Sequence, residues 1–220
     1  MLKETVAFVF DMDGVLVNST PAHTEAWRLY LQRHGVELPD LEHRMLGKRN
    51  DQIVREFFKD QELTDEQVFD HGAAKEALYR ELMGPVLQEH ILPGVPQFLD
   101  VIREAPIGLA TNAEPANVEF VLTGAGLESY FRVRVDGHQV ERPKPHPDIY
   151  LLAAKRLGAD PENCVVFEDS LTGVEAAKRA GMRVVGVRST LSELPGADLL
   201  VEDFRDPELK LWMRSALSYA

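Results

Sequence analysis

Residues 5–15 are TVAFVFDMDGV, and this stretch decides how the rest of the chain is interpreted. An apolar, β-branched run is followed at once by two carboxylates, Asp11 and Asp13, and then by Gly14, which permits a sharp turn. Side chains alternate along an extended segment, so both carboxylates can point into one crevice. An isolated pair of this kind is more often a turn that caps a strand. Directly after a buried strand, it indicates a metal-binding or nucleophilic site.

Similar apolar runs recur along the chain and alternate with helical segments. We predict strands at 5–10, 106–111, 164–167, 183–187 and, more weakly, 199–201. Helical composition marks 116–124, 148–157 and 173–180, with Gly158 and Gly181 at the positions of helix C-caps. The alternation predicts an α/β fold with a Rossmann-like parallel sheet covered on both faces. Ligands of such sheets bind beyond the carboxyl ends of the strands.

One long segment, residues 19–89, breaks this alternation. It is strongly charged, contains no strand candidate, and repeats apolar residues at helical spacing in 22–33, 51–58 and 73–83. Residues 92–94, Leu-Pro-Gly, then mark the return to the alternating pattern. We therefore predict an α/β core formed by 1–18 and 90–220, with a helical cap domain inserted as 19–89.

A second acidic pair, Glu168 and Asp169, ends the apolar run of residues 164–167. Capping of the next helix by Asp169 or Ser170 is common and explains one of these acids. Two adjacent carboxylates at the end of a buried strand repel each other unless a cation or a donor offsets them. If both acidic strands are central, four carboxylates meet at one rim, which suits a hard cation such as Mg²⁺.

Two further segments carry phosphate-binding chemistry. Thr111 follows the second predicted strand, and its hydroxyl can donate to a phosphate oxygen near a helix N-terminus. Lys144 lies in residues 142–147, RPKPHP, where prolines on both sides stiffen the loop and fix the direction of the side chain. A cation held in this way can stabilise an anionic nucleophile and a transferring phosphoryl group. The alternative is a rigid surface turn with a solvated lysine.

These four motifs, in this order, resemble those of the haloacid dehalogenase superfamily of phosphotransferases. The helical insertion resembles the C1 cap of its β-phosphoglucomutase-like subgroup, so the resemblance covers nearly the whole chain. It implies that Asp11 is the nucleophile that becomes an aspartyl-phosphate and that Asp13 acts as acid and then base. It also implies that Thr111 and Lys144 hold the phosphate. The implied Mg²⁺ ligands are Asp11, the backbone carbonyl of Asp13, Glu168 and Asp169.

The first cap helix supplies two candidate substrate-binding residues. His23 and Trp27 lie four residues apart on one helix face, and Ser19 lies one turn before His23. This arrangement resembles the first cap helix of the β-phosphoglucomutase-like proteins. Packing in the cap core is the favoured alternative for Trp27, and for His23 the two interpretations are balanced.

Other candidates come from the rest of the cap and from the segment after the second strand. Arg49 can clamp an anionic or hydroxyl-rich part of a substrate, or it can be a surface charge at a helix start. Lys75 resembles a cap lysine that faces the crevice, although a surface position is the commoner one for lysine. Asn112, Glu114 and Asn117 follow the second strand closely enough to reach the substrate.

The resemblance implies a Mg²⁺-dependent phosphatase, a phosphoric monoester hydrolase acting on small phosphorylated metabolites such as sugar phosphates. The alternative is β-phosphoglucomutase, a sugar-phosphate mutase. That enzyme has a serine-rich stretch with a lysine after its second strand, whereas residues 111–114 here are TNAE. This departure favours a hydrolase, while the four cap candidates also fit the mutase. A catalytically idle binding module would lack catalytic residues, and none of them is missing.

Composition limits the partners of the chain. The 220 residues include 24 Lys and Arg against 36 Asp and Glu, a net charge of −12, which lacks the basic footprint of a nucleic-acid binder. No apolar run approaches the roughly 18 residues of a membrane span, and no secretory signal is evident at the N-terminus. Cys164 is the single cysteine, which fits a reducing compartment, and we expect it to be buried. We expect a cytoplasmic monomer whose partner is a small phosphate ester, with neither nucleic acid nor membrane bound.

Overall fold

A parallel β-sheet forms the centre of the α/β core. The computed structural model describes residues 6–45 and 48–218, and within them six strands form one sheet. The strands are β1 (Ala7–Phe10), β2 (Ile107–Ala110), β3 (Val133–Val135), β4 (Cys164–Glu168), β5 (Arg183–Val187) and β6 (Leu199–Val201). Their order is β3-β2-β1-β4-β5-β6, and all neighbouring pairs are parallel.

This sheet confirms the predicted fold class, and the predicted strands lie close to their expected bounds. Residue 5, at the start of the first predicted strand, lies outside the described residues. The sequence missed β3, a short edge strand with Arg134 at its centre. An edge strand has a neighbour on one side only and is partly exposed, so it lacks the apolar run that identifies a buried parallel strand.

Five helices of the described residues belong to the core, and the middle three lie within two residues of their predicted bounds. They are α5 (Val95–Val101), α6 (Pro115–Ala125), α7 (Asp148–Leu157), α8 (Leu171–Arg179) and α9 (Pro207–Ser218). Gly158 follows α7 as its C-cap, as predicted. Among the described residues, no helix has both the length and the apolar character that crossing a membrane requires.

The cap segment, residues 19–89, forms helices and no strand in its described part. It contains α1 (Thr20–Arg33), α2 (Leu41–Met45), α3 (Asn50–Phe57), α4 (Asp65–Met83) and a 3₁₀ helix (Gly84–His90). The short, charged α2 was not predicted, and α4 begins eight residues before the predicted start at 73. Its early start has a local cause, because the Thr64 hydroxyl accepts from the Gln67 N–H while the Gln67 side chain accepts from the Thr64 N–H. The proposed unit boundaries at 18/19 and 89/90 remain predictions.

Side chains pack on both faces of the sheet, so the central strands are buried on both sides. On β1, Phe8 and Phe10 enter a core cluster shared with the cap, whereas Val9 enters a second cluster on the opposite face. Phe10 stacks on Phe167 of β4 with ring centroids 4.6 Å apart. Cys164, at the start of β4, is buried as expected. Since β1 and β4 are central neighbours, their carboxyl ends meet at one edge of the sheet.

Candidate active site

The two acidic motifs meet at the carboxyl edge of the sheet. Phe10 and Phe167 are paired in register, so Asp11 on one chain segment lies beside Glu168 and Asp169 on the other. One carboxylate oxygen from each of these three acids lies within 4.8 Å of the others, and each residue is less than a tenth exposed. Because hard oxygen donors at this spacing suit a divalent cation, the cluster fits a metal site.

Two glycines allow the acids to approach so closely. Gly14 has φ +74°, and a Cβ atom there would collide with the Asp169 carboxylate. A Cβ atom on Gly173, at the start of α8, would collide with the Glu168 carboxylate. Glu168 Oε2 also accepts from the backbone N–H groups of Asp169 at 3.0 Å and Ser170 at 3.1 Å. Backbone N–H groups of the turn after β4 therefore bind the Glu168 carboxylate, and Gly173 leaves the space that this carboxylate occupies.

Lys144 supplies the positive charge of this edge. Its Nζ donates to Asp11 Oδ1 at 2.7 Å and to Glu168 Oε1 at 2.5 Å, and it lies 4.8 Å from the centre of the Tyr150 ring. The lysine is 6% exposed, so the expected alternative of a solvated surface lysine is wrong. Burial acts to lower the pKa of Lys144, but the charges of Asp11 and Glu168 outweigh it and hold that pKa above its usual range.

The three clustered carboxyl groups have different proton affinities. Burial is the largest influence on Asp11 and raises its pKa to about 7, with Lys144 opposing the rise. Burial and then the neighbouring Glu168 raise the pKa of Asp169 well above its usual range. For Glu168, burial is outweighed by the charge and hydrogen bond of Lys144, so its pKa is lowered. A bound divalent cation would favour the ionised form of all three.

Asp13 lies on the cap side of this cluster and is held by residues of α1 and the segment before it. Ser19 Oγ donates to Asp13 Oδ1 at 2.6 Å, and His23 Nε2 lies 3.6 Å from the same oxygen. Lys75 Nζ lies 3.1 Å from His23 Nδ1. The His23 ring therefore lies between the Lys75 ammonium group and the Asp13 carboxyl group. The carboxyl group is 29% exposed and thus open to the cleft.

The end of β2 adds two polar side chains to the cleft. Thr111 is 1% exposed, and its hydroxyl oxygen accepts from the Ala113 N–H at 3.1 Å, which leaves its own hydrogen free to donate to a ligand. Asn112 also lines the cleft, and its Oδ1 is buried without a hydrogen-bond partner among the described residues. The structure thus brings Thr111 and Asn112 to the cleft of Asp11, where the sequence expected them.

The cap forms the opposite wall of the cleft, lined by His23, Trp27, Arg49 and Lys75. Lys75 is only 2% exposed, so the expectation that a surface position is the safer one for it is wrong. Trp27 is fully buried and packs edge-on against Phe57 at 5.4 Å, so it belongs to the cap core as well as to the cleft wall. Residues 46 and 47, shortly before Arg49, lie outside the described residues.

Glu114 is placed differently from the other candidates. It is absent from the described residues that line the cleft, and its carboxylate binds Arg80 of α4 at 2.9 Å. Arg80 also donates to Asn117 of α6 at 2.6 Å. Both contacts join the cap to the core, so Glu114 lies at the junction of the two rather than beside Asp11.

The residues of the site that were not singled out from the sequence include Asn50, Glu76, Tyr150 and Thr190. Tyr150 donates to Glu168 at 2.7 Å, and the Thr190 hydroxyl donates to Asp169. A signal existed for Thr190, because it follows β5 at the same edge of the sheet. The sequence contains no such signal for Glu76 and Asn50, since charged and amide residues on helices are usually exposed.

Comparison with known proteins agrees with this fold and site. The sequence profile of haloacid dehalogenase-like hydrolases matches residues 5–181. The chain is 33% identical over 192 residues to a fructose-1-phosphate phosphatase of Escherichia coli, covering 86% of this chain and 99% of that protein. It is 36% identical over 192 residues to a phosphorylated carbohydrates phosphatase of Thermotoga maritima, with coverages of 85% and 87%. Of solved structures, a β-phosphoglucomutase from Clostridium difficile superposes with a TM-score of 0.85 at 25% identity, covering 98% of each chain.

A parallel sheet with an acidic carboxyl edge and a helical cap thus defines an enzyme that acts on phosphate esters. The chain belongs to the haloacid dehalogenase-like hydrolases. Within that family it is a member of the β-phosphoglucomutase-like subgroup, which confirms the resemblance drawn from the sequence motifs.

Proposed function

We propose that the chain is a Mg²⁺-dependent phosphatase of small sugar phosphates that works through an aspartyl-phosphate on Asp11. The observation that carries this proposal is the buried lysine between two buried carboxylates at the end of the central strands. Phosphoryl transfer depends on positioning and charge neutralisation, and this edge supplies both. The sugar-phosphate preference is supported by the names of the two phosphatase relatives.

In the first half of the reaction, a carboxylate oxygen of Asp11 attacks phosphorus and the ester oxygen leaves. Lys144 and the Thr111 hydroxyl hold phosphate oxygens and offset their charge. Asp13, which faces the cleft, gives its proton to the leaving alkoxide, so the sugar departs as a neutral alcohol.

In the second half, Asp13 has become a carboxylate and acts as the base. It takes a proton from a water molecule whose oxygen attacks phosphorus, and the bond to Asp11 breaks. Inorganic phosphate leaves, Asp11 is a free carboxylate again, and Asp13 is protonated for the next cycle. Ser19 and His23 keep Asp13 oriented through both halves.

Mg²⁺ is the cation that the oxygen-only donor set suits best. Asp11, Glu168 and Asp169 would hold it with their side chains, together with the backbone carbonyl of Asp13. When bound, Mg²⁺ supplies positive charge that neutralises the phosphate oxygens.

The test is phosphate release from a panel of sugar phosphates with and without Mg²⁺. We expect turnover that EDTA abolishes and Mg²⁺ restores. Asp11→Asn should lose turnover by a factor of at least about 10³ while keeping its circular dichroism spectrum, since the proposed intermediate forms on the Asp11 carboxylate. Asp100→Asn, an exposed acid bonded to Tyr130, is the matched control and should retain full activity. Near wild-type turnover by Asp11→Asn would refute the nucleophile assignment.

A second candidate, β-phosphoglucomutase, is favoured by Arg49, which lines the cap wall of the cleft. A coupled assay for glucose 6-phosphate, starting from β-glucose 1-phosphate and primed with the bisphosphate, separates the two. A phosphatase releases inorganic phosphate from the same substrate without forming glucose 6-phosphate. Formation of glucose 6-phosphate in excess of phosphate release would transfer the assignment to the mutase.

A further inference from the structure

A stacked pair of rings, His23 of α1 and Tyr79 of α4, lies next to Asp13 in the cap. The ring centroids are 3.8 Å apart and the ring planes differ by 5°, so the two rings overlap face to face. Tyr79 is fully buried, and the His23 side chain is 13% exposed. A ring that rests on another ring in this way is restrained in its plane, because tilting it would open a gap on one side and cause a clash on the other.

The edge of the His23 ring contacts charged groups. Nδ1 lies 3.1 Å from Lys75 Nζ and 3.8 Å from Glu76 Oε2, and Nε2 lies 3.6 Å from Asp13 Oδ1. These edge contacts determine which group each nitrogen faces, whereas the Tyr79 ring determines the plane in which both nitrogens lie. A change of that plane would move Nε2 away from the Asp13 carboxyl group.

Tyr79 is itself held by the core. Phe120 of α6 packs edge-on against its ring, with the centroids 6.1 Å apart. Arg80, the next residue of α4, donates to Asn117 of α6 at 2.6 Å. Because α6 belongs to the core and His23 to the cap, the Tyr79 ring is a fixed surface at their junction on which His23 rests.

The ring of Tyr79, rather than its hydroxyl group, is the part that makes this contact. The hydroxyl oxygen is buried without a well-formed hydrogen bond among the described residues, and Ser19 is its polar neighbour. Burial, followed by the charges of Asp13 and Glu76, raises the pKa of Tyr79 well above its usual range. The phenol therefore keeps its proton at neutral pH and can serve neither as a base nor as a nucleophile.

We infer that Tyr79 is a positioning residue for the acid step, because its ring fixes the plane of His23 and His23 keeps the Asp13 carboxyl group directed at the leaving oxygen. The inference rests on the proposed phosphatase function, in which the Asp13 proton moves to the ester oxygen as the bond from that oxygen to phosphorus breaks. A proton donor must lie within hydrogen-bond reach of its acceptor, so a small displacement of Asp13 slows the transfer. Ser19 also holds Asp13, at 2.6 Å, so loss of the Tyr79 ring should weaken the acid step without abolishing it.

The test separates an ester that needs this proton from one that does not. A sugar alkoxide is a poor leaving group and departs with a proton, whereas p-nitrophenolate is stable as an anion and departs without one. The ratio kcat/KM reports the steps up to departure of the leaving group, so hydrolysis of the intermediate does not affect it. In Tyr79→Leu with Mg²⁺, kcat/KM for the sugar phosphate that the wild type hydrolyses best should fall on the order of tenfold. The value for p-nitrophenyl phosphate should stay within about threefold of wild type.

Two further variants assign the effect to the stacked ring. Tyr79→Phe keeps the ring and should keep both kcat/KM values within about threefold of wild type. His23→Phe keeps a ring on Tyr79 but removes both nitrogens, so it should show the same selective loss as Tyr79→Leu. When Tyr79→Leu is added to His23→Phe, the further loss for the sugar ester should be less than about threefold, because both residues act through one contact.

Tyr30 of α1 provides the matched control. It is a buried tyrosine of the cap that packs on His34 with ring centroids 4.4 Å apart, and it is not among the described residues that line the cleft. Tyr30→Leu removes the same atoms from the cap and should leave the ratio of the two kcat/KM values unchanged.

Several results would overturn the inference. A purely structural role for Tyr79 predicts that Tyr79→Leu lowers kcat/KM for both esters by the same factor. A loss in Tyr79→Phe as large as that in Tyr79→Leu would assign the effect to the hydroxyl group instead of the ring. If Tyr79→Leu does not fold, an unchanged ratio in His23→Phe overturns the inference by itself.

Failure of the proposed function gives a different result. In that case, the wild-type enzyme releases no phosphate from any sugar phosphate of the panel. Turnover of a sugar phosphate by the wild type, with an unchanged ratio in Tyr79→Leu, would overturn the inference alone and leave the phosphatase assignment intact.

Discussion

Without divalent cations, the protein should become less stable as the pH rises from about 5 to about 7.5. The reason is Asp11, whose pKa burial raises from 3.8 to about 7. In this pH range the unfolded chain has released the Asp11 proton while the folded chain retains it. A group whose pKa is higher in the folded state stabilises the fold at low pH, and that stability is lost as the pH rises through the folded pKa.

The size of the loss follows from this shift. Stability changes by about 1.4 kcal/mol for each pH unit between the unfolded and folded pKa values. From pH 5 to a folded pKa of about 7 this amounts to about 3 kcal/mol. Asp169, whose pKa is also raised, acts in the same direction. Glu168, whose pKa is lowered, is ionised in both states above about pH 5 and adds little in this range.

The assay is urea unfolding at several pH values, with EDTA and with saturating Mg²⁺. Mg²⁺ favours the ionised carboxylates, so the stabilisation that it gives should grow with pH by about the same 3 kcal/mol. Groups far from the site, such as His71, contribute equally with and without the metal and cancel in this difference. For Asp11→Asn in EDTA, the fall in the free energy of unfolding between about pH 5 and about pH 7 should be smaller than for wild type by about 3 kcal/mol. If wild type and Asp11→Asn lose equal stability in EDTA, the assignment to Asp11 is refuted.

Two further predictions concern the same edge of the sheet. Lys144→Met should abolish turnover and lower the free energy of unfolding by about 3–5 kcal/mol, since it leaves buried carboxylates without their partner. Lys178→Met breaks an exposed pair with Asp198 and should cost less than about 1 kcal/mol in the same urea titration, and equal losses would contradict the role of burial. Gly173→Ala places a methyl group against the Glu168 carboxylate and should weaken Mg²⁺ activation at least about tenfold, measured as the half-saturating Mg²⁺ concentration. Gly84→Ala, whose Cβ would meet Phe120 at an ordinary 3.8 Å, is its control, and an equal shift in both variants would contradict the steric argument.

The part of the site that the sequence could predict is the part built on buried strands. Asp11 and Glu168 follow apolar runs that are typical of buried strands in a parallel sheet, and the carboxyl ends of such strands meet at one edge. Thr111 follows the same rule on β2. Local sequence is sufficient here because position along the strand determines position in the site.

The described part of the cap has no strands, so position along the chain does not predict which of its residues reach the site. The buried residues of α4 include Lys75 and Glu76, which a hydrophobic pattern assigns to solvent. They are buried because each compensates the charge of the other and because α1, α3 and α6 supply the remaining hydrogen bonds. Those partners lie 26 to 52 residues away along the chain, so they could be identified only from the folded structure.

The acidity of the chain and an anionic substrate are compatible because the charges that matter are local. A net charge of −12 repels a phosphate ester at long range. At the carboxyl edge of the sheet, however, one lysine bonds two of three clustered carboxylates, an arrangement that would suit a divalent cation. On the proposed mechanism, the reacting phosphate then meets the cation and Lys144. Local positive charge at this edge can therefore outweigh the acidity of the chain as a whole.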